Sequence, residues 1–127
     1  MSKTLKGVRI LVVEDDYYVA ESTAVLLDLE GLNARVTATG QEALALIPGF
    51  KPQVVLLDIG LKGMHGFETA KRLRALPDGQ DIYLIALTGY SDEKTKACAL
   101  ESGCDQFLTK PMGWSVLSQI LADAPLK

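Results

Sequence analysis

This chain has little that binds soft metals and nothing long enough to cross a bilayer. Among its 127 residues are one histidine, His65, and two cysteines, Cys98 and Cys104. The cysteines match neither a disulfide framework nor a Cys-x-x-Cys pair of the zinc or redox kind, so two reduced thiols in a cytoplasmic protein are expected. The longest apolar run, residues 82–87, falls far short of the ~20 residues a membrane span needs. The N-terminal stretch carries two lysines but enters a strand-like run with no signal-peptide cleavage pattern. Neither sign of charge dominates: a net charge of −3 offers no basic footprint for nucleic acid. Repeats and low-complexity tracts are missing too. Pro48-Gly49, Pro52 and Pro77-Asp78-Gly79 read as loops inside one domain spanning residues 1–127, not as linkers.

What is present is an ordinary globular composition, 48% hydrophobic and 23% charged. Five short apolar runs stand out: Val8–Val13, Ala34–Ala38, Val54–Leu57, Ile82–Leu87 and Gln106–Leu108. The first, third and fourth are almost continuously apolar, as central parallel strands covered on both faces should be. Helical patterns separate them. Val19, Thr23, Leu26 and Leu27 predict one helix face, closed by Gly31. Thr39-Gly40-Gln41-Glu42 opens a second helix as a capping box, running through Leu44 and Ile47. Phe67, Ala70, Leu73 and Leu76 mark a third, which Pro77 stops. Ser91 can cap a fourth that runs to Glu101 and ends near Gly103. Trp114, Leu117, Ile120 and Leu121 mark a fifth. Such alternation predicts an α/β fold with an open, doubly wound parallel sheet, whose functional crevice lies at the carboxyl ends of the strands.

Those ends are where the reactive side chains gather. The first strand runs into Glu14-Asp15-Asp16, the third into Asp58, the fourth into Thr88-Gly89 and the fifth into Thr109-Lys110-Pro111. Crowded carboxylates do not all ionise cheaply without a cation. Oxygen donors without His or Cys favour Mg²⁺, which welcomes phosphate oxygens as further ligands. A carboxylate beside such a metal can attack phosphorus and become an acyl phosphate. Lys110 supplies a compact positive charge for phosphoryl oxygens, and Thr88 a hydrogen bond. The chemistry expected is Mg²⁺-assisted phosphoryl transfer to Asp58.

Four ordered stretches, "ILVVEDD", "LLDIGLKGMHGFE", "LIALTGY" and "ESGCDQFLTKP", resemble the receiver domain of two-component response regulators, covering Val8 to about Leu121. The resemblance implies a five-stranded, flavodoxin-like sheet in the order 2-1-3-4-5 with five helices. It implies that Asp58 is the phosphoacceptor, with Thr88 and Lys110 as the catalytic hydroxyl and lysine. Glu14 and Asp15 match the acidic pair, Asp15 being the direct metal ligand, and Gly60 sits where a backbone carbonyl completes the metal shell. Phe107 falls at the aromatic position that turns inward on activation. The Lys110-Pro111 bond matches one that is usually cis in the family. Implied partners are a histidine kinase or histidine phosphotransfer protein and a downstream protein target. The domain would be no enzyme beyond catalysing its own phosphorylation and dephosphorylation.

Some positions depart from the family pattern. Lys62 stands where proline is common, and His65 replaces a frequent acidic residue or Asn. A solvent-facing histidine is expected there, not a phosphohistidine. Asp16 is expected to cap a helix rather than bind metal. Cys98 and Cys104 fill small-residue slots, and Trp114 anchors the last helix. The fifth helix lacks the "ELxAR"-like pattern of receivers that dimerise to drive a winged-helix domain, so a monomer is expected.

Rival chemistries fit less well. A haloacid dehalogenase-type phosphohydrolase would carry a general-acid aspartate two residues after its nucleophile, where this chain has Gly60. A nucleotide- or flavin-binding module would have a Gly-rich first turn in place of "VVEDDYYVA". A receiver-like module that only binds partners, without phosphorylation, is the remaining alternative. Both a stand-alone regulator and a receiver module of a hybrid sensor kinase are compatible with the pattern.

Overall fold

A computed structural model describes residues 5–60, 66–89, 93–110 and 113–127. Lys62, His65, Ser91 and Pro111 lie outside the described residues. Five strands form one parallel sheet: β1 (Arg9–Val13), β2 (Asn33–Thr37), β3 (Val54–Asp58), β4 (Tyr83–Thr88) and β5 (Gln106–Thr109). Their order is β2-β1-β3-β4-β5, as the resemblance implied. Between and after them run α1 (Tyr17–Leu29), α2 (Gly40–Phe50), α3 (Gly66–Ala75), α4 (Glu93–Glu101) and α5 (Trp114–Asp123). A short 3-10 turn, Pro77–Gly79, follows α3.

Residue parity along the central strands splits the core in two. Leu11, Val13, Val55, Leu57, Leu84 and Ala86 face one way, against Ala43, Ile47, Ala70, Leu73 and Ala99 of α2, α3 and α4. Ile10, Val12, Val54, Leu56, Ile85 and Leu87 face the other, against Leu27, Leu117 and Leu121 of α1 and α5. Successive strand side chains point to opposite faces, and here both faces are covered. That is why the central strands show no alternation of apolar and polar residues.

Caps set the helix ends. The Asp16 carboxylate accepts from the Tyr18 and Val19 N–H groups at 3.0 and 3.1 Å, so it caps α1 as expected. Thr39 caps α2 by accepting from the Glu42 N–H at 3.1 Å. Gly31 and Gly103 follow α1 and α4 with φ of +94° and +102°, a left-handed bend that glycine makes without a Cβ clash.

Two expectations are corrected. Pro48 and Gly49 belong to α2 rather than to a loop. Proline's missing N–H forfeits only the bond back toward Leu44, and the last turn closes when the Lys51 N–H donates to the Ile47 carbonyl at 2.8 Å. Helix α1 does not bury the stripe that began at Val19. Ala20 and Leu27 are its buried residues, while Val19 is 46% exposed. Apolar side chains surround this helix: Tyr18, Val25 and Leu29 are also exposed, so spacing alone points to more than one inner face. Among the described residues no helix is long and apolar enough to cross a membrane.

Candidate functional site

The strands stop together at their carboxyl ends, and the stopping points carry the charge. Glu14 directly follows β1, its N–H donating to the Thr37 carbonyl at the end of β2 (3.0 Å). Asp58 is the last residue of β3, only 6% exposed. Thr88 is the last of β4 and 3% exposed. Lys110 follows β5, held when its N–H donates to the Thr88 carbonyl at 2.7 Å. A fully apolar strand places Asp58 rigidly, because the side chains before it are locked between two helical layers.

The Lys110 Nζ donates to Asp58 Oδ2 at 2.9 Å and to Glu14 Oε1 at 3.3 Å. The Gly60 N–H donates to the other Asp58 oxygen, Oδ1, at 2.9 Å. Glu14 Oε2 accepts from the Asp16 N–H at 3.2 Å. Oxygens of Glu14, Asp15 and Asp58 lie within 4.8 Å of one another. Asp16 is outside this cluster, its carboxylate engaged by the helix cap.

Burial presses both inner carboxyls toward neutrality, and the outcome differs. Burial raises the Glu14 pKa, and the neighbouring Asp58 carboxylate adds to that rise. Burial also pushes Asp58 upward, but the Lys110 ammonium, the Gly60 N–H and Glu14 together outweigh it and hold Asp58 below the usual range. Burial lowers Lys110 in turn, yet Asp58 and Glu14 overcome it and raise the pKa. The ammonium and the Gly60 N–H thus favour the charged form of Asp58, while burial and the Asp58 carboxylate disfavour that of Glu14. Three clustered oxygen donors, one pressed toward protonation, suit a hard cation that would replace the proton. The acidic cluster thus fits metal binding.

The structure brings Glu14, Asp15, Asp58, Gly60, Thr88 and Lys110 to one edge. Phe107 differs from expectation in detail. Thr88 pairs across the sheet with Thr109, whereas Phe107 pairs with Ala86. Phe107 and Thr88 therefore share a face but are diagonal, two residues out of register. The ring is partly buried against the core that holds Ala86.

A cleft of about 510 Å³ beside the charged edge was not foreseen. Val12, Val13, Val19, Thr23, Leu87, Glu14 and Lys110 line it. Val19 is exposed because it lines this cleft. Tyr17 and Tyr18 stand at the same end of α1, 68% and 79% exposed, with their rings edge-to-face. The sequence signal for an open surface was the pair of tyrosines directly after three acids.

Comparison with known proteins agrees with this geometry. The family model for the response regulator receiver domain matches residues 10–122. An uncharacterised 14.6 kDa protein of Leptolyngbya boryana is 37% identical over 110 residues, covering 87% of this chain and 84% of the relative. The DNA-binding response regulator MtrA of Mycobacterium tuberculosis is 37% identical over 103 residues, or 81% of this chain. The match spans only 44% of MtrA. Among solved structures, the receiver domain of the Pseudomonas aeruginosa sensor histidine kinase PA1611, with magnesium in its active-site cleft, aligns with a TM-score of 0.83 and 26% identity. That alignment covers 91% of this chain and 94% of the PA1611 domain.

Proposed function

This chain belongs to the response regulator receiver domain family of two-component signalling, and we propose that within it Asp58 accepts a phosphoryl group from a phosphohistidine. The observation that carries the reading is the Lys110 ammonium held on Asp58 beside the Glu14 and Asp15 carboxylates, at the end of a fully buried strand. Receiver domains work with histidine kinases or histidine phosphotransfer proteins, and such a donor is the proposed partner. The Asp58 oxygen attacks phosphorus, the phosphorus–nitrogen bond breaks, and the leaving imidazole keeps its electron pair and takes a proton. Glu14, Asp15 and Asp58, with the Gly60 carbonyl, would hold Mg²⁺, which neutralises phosphoryl charge when bound. Lys110 orients and stabilises the phosphoryl oxygens. Thr88 donates its hydroxyl to one of them.

The domain is proposed to catalyse only gain and loss of its own phosphoryl group, as a cytoplasmic monomer that signals by protein contact. The net charge of −3 supports action without direct nucleic-acid binding by this domain. The exposed Tyr17 and Tyr18 at the start of α1 offer an apolar surface at the same edge as Asp58 for the phosphodonor.

Output is proposed to run through Thr88 and Phe107. A phosphoryl group that draws the Thr88 hydroxyl toward itself frees space on the face Phe107 shares, and the half-buried ring moves further in. A near-complete switch needs about 5.5 kcal/mol of differential interaction. One hydroxyl on a charged acceptor supplies roughly 1.5–3 kcal/mol, so Lys110 shares the work.

Intact-mass measurement after incubation with acetyl phosphate and Mg²⁺ tests the acceptor. One phosphoryl group is expected on the native protein and none on Asp58→Asn. Uptake that survives the substitution overturns the assignment.

A further inference from the structure

Arg74, the penultimate residue of α3, has all three nitrogens of its guanidinium engaged. Nη1 donates to the carbonyls of Gly79, Gln80 and Ile82 at 2.9, 3.3 and 2.7 Å. Nε donates to the Gly103 carbonyl at 2.9 Å, and Nη2 to Asp105 Oδ2 at 2.8 Å. Arg9 of β1 and Arg35 of β2 are different. Both are held in place, yet neither makes an ion pair among the described residues. Arg9 gives Nε to the Lys51 carbonyl at 2.7 Å. The Arg35 guanidinium carbon lies 5.2 Å from the centre of the Phe50 ring, a cation–π stack that sets its direction.

The two arginines share a groove. Arg9 is in register with Asn33, and Arg35 lies two residues further along β2, so all three side chains point toward the α2 layer. With Leu46, Gly49 and Phe50 of α2 they line a groove of about 290 Å³, and no acid lines it among the described residues. A second cleft of about 430 Å³ shares Arg35 and Leu46 and adds Val36, Thr37 and Glu42. Val36 packs with the opposite layer, so this cleft reaches round the outer edge of the sheet, where β2 has no neighbouring strand. Glu42 accepts the Thr39 hydroxyl at 3.2 Å. Asp28 Oδ1 takes the Ala34 N–H at 3.1 Å, which closes the edge of β2 to a fully paired added strand and leaves recognition to side chains.

Lys51 adds a third cation. It follows α2 with φ of +51°, a left-handed conformation that suits glycine, yet the chain places an exposed lysine there, its carbonyl on Arg9. Asp78 and Asp81 share a separate cleft with Arg9 and Lys51, and Asp81 is paired with Lys127 at 3.4 Å. A chain of net charge −3 thus gathers cations beside one apolar floor.

We infer that the groove between β2 and α2 docks an extended acidic segment of a partner protein. Charge complementarity carries the choice of occupant: two guanidiniums without acid partners, over Leu46 and Phe50, match carboxylates that alternate with apolar side chains. Alternate side chains of an extended peptide stand about 7 Å apart, close to the roughly 7–8 Å between diagonal positions on neighbouring strands, such as Arg9 and Arg35. The open side of the groove admits a main chain. It shares no residue with the cluster at Asp58, so the inference stands apart from the phosphoacceptor reading.

Peptide titration followed by backbone NMR, with no metal or phosphodonor present, tests the groove. The probe is a short synthetic peptide of alternating glutamate and leucine; its glutamine–leucine counterpart and inorganic phosphate are the controls. The acidic peptide should shift the amides of Arg35, Leu46 and Phe50 and bind at least tenfold tighter than the glutamine version. Raising salt should weaken it. Arg35→Glu should cost at least tenfold in affinity, and Arg9→Gln at least threefold, with the amides of α5 unchanged. Should Arg35→Glu fail to fold, Arg35→Gln replaces it, with at least a threefold loss expected. No shift at millimolar peptide, shifts confined to other faces, or an affinity indifferent to the Arg35 substitution overturns the inference. Inorganic phosphate that shifts the same amides as strongly as the peptide overturns it too, because the groove would then take any anion.

Discussion

Two edges of one sheet each hold a partly buried cation, Lys110 and Arg74, and they use it in opposite ways. At the carboxyl ends, Lys110 reaches two carboxylates that compete for it, and its side chain stays 37% exposed. At the amino ends, Arg74 is 21% exposed and gives most of its bonds to backbone carbonyls. Carboxylates can be taken over by a metal or altered by a covalent group, so the Lys110 pairing is exchangeable. Backbone carbonyls neither titrate nor take up a covalent group, so the Arg74 pairing is the more lasting one. An ammonium is a point charge on a flexible stem, while a guanidinium is a rigid fork. The difference separates a site built to change from a joint built to stay.

The largest effect expected from breaking this contrast is chemical. Asp58→Asn should abolish phosphoryl gain from acetyl phosphate, while Asp105→Asn leaves it intact by mass. Next comes stability. Arg74→Met should cost roughly 2–3 kcal/mol in urea denaturation, because several carbonyls lose a charged donor at once. Lys110→Met should cost less than ~1 kcal/mol, since its partly exposed pairs are screened and Glu14 can take up a proton instead.

Metal binding should sharpen the contrast further. Mg²⁺ at ten times its dissociation constant should stabilise the native fold by about 1.4 kcal/mol. Asp15→Ala should lose most of that gain in a thermal melt, and Asp16→Ala much less.

The smallest effect is a reactivity difference between thiols. Burial pushes the Cys104 thiol up to about 11, whereas Cys98 is half-buried on α4. At pH 8 a disulfide reagent should label Cys98 in the native protein, and Cys104 only on opening. Arg74→Lys should speed the labelling of Cys104, which follows the Gly103 carbonyl held by the guanidinium, without changing Cys98. As a buried neutral thiol, Cys104 also makes the fold lose stability as pH rises from the ordinary value of 9.0 toward about 11.

Much of the changeable edge was legible in the sequence, and little of the lasting one. An apolar run that ends in a carboxylate announces both the strand and what it presents, so Asp58, Glu14 and Lys110 could be placed by topology alone. The diagonal offset of Thr88 and Phe107 could not, because register depends on where β5 begins its pairing. Arg74 was hidden for a different reason. A charged residue between Leu73 and Ala75 resembles any solvated helix position, and its acceptors are carbonyls, which every residue type carries. The inner face of α1 was obscured by apolar residues on all its sides. Pro48 was misread because proline is tolerated in a final turn that another N–H closes.

The two ion pairs of Lys110 join residues 96 and 52 positions apart in the chain. Contacts so distant form late, after the loop entropy between them has been overcome. During synthesis Asp58 leaves the ribosome long before the lysine that will hold it. Until β5 docks, the nascent chain exposes an aspartate with no cation of its own from Lys110. If Asp58 is the acceptor, as proposed above, a partly made copy is a poor competitor for phosphoryl groups until the sheet is finished.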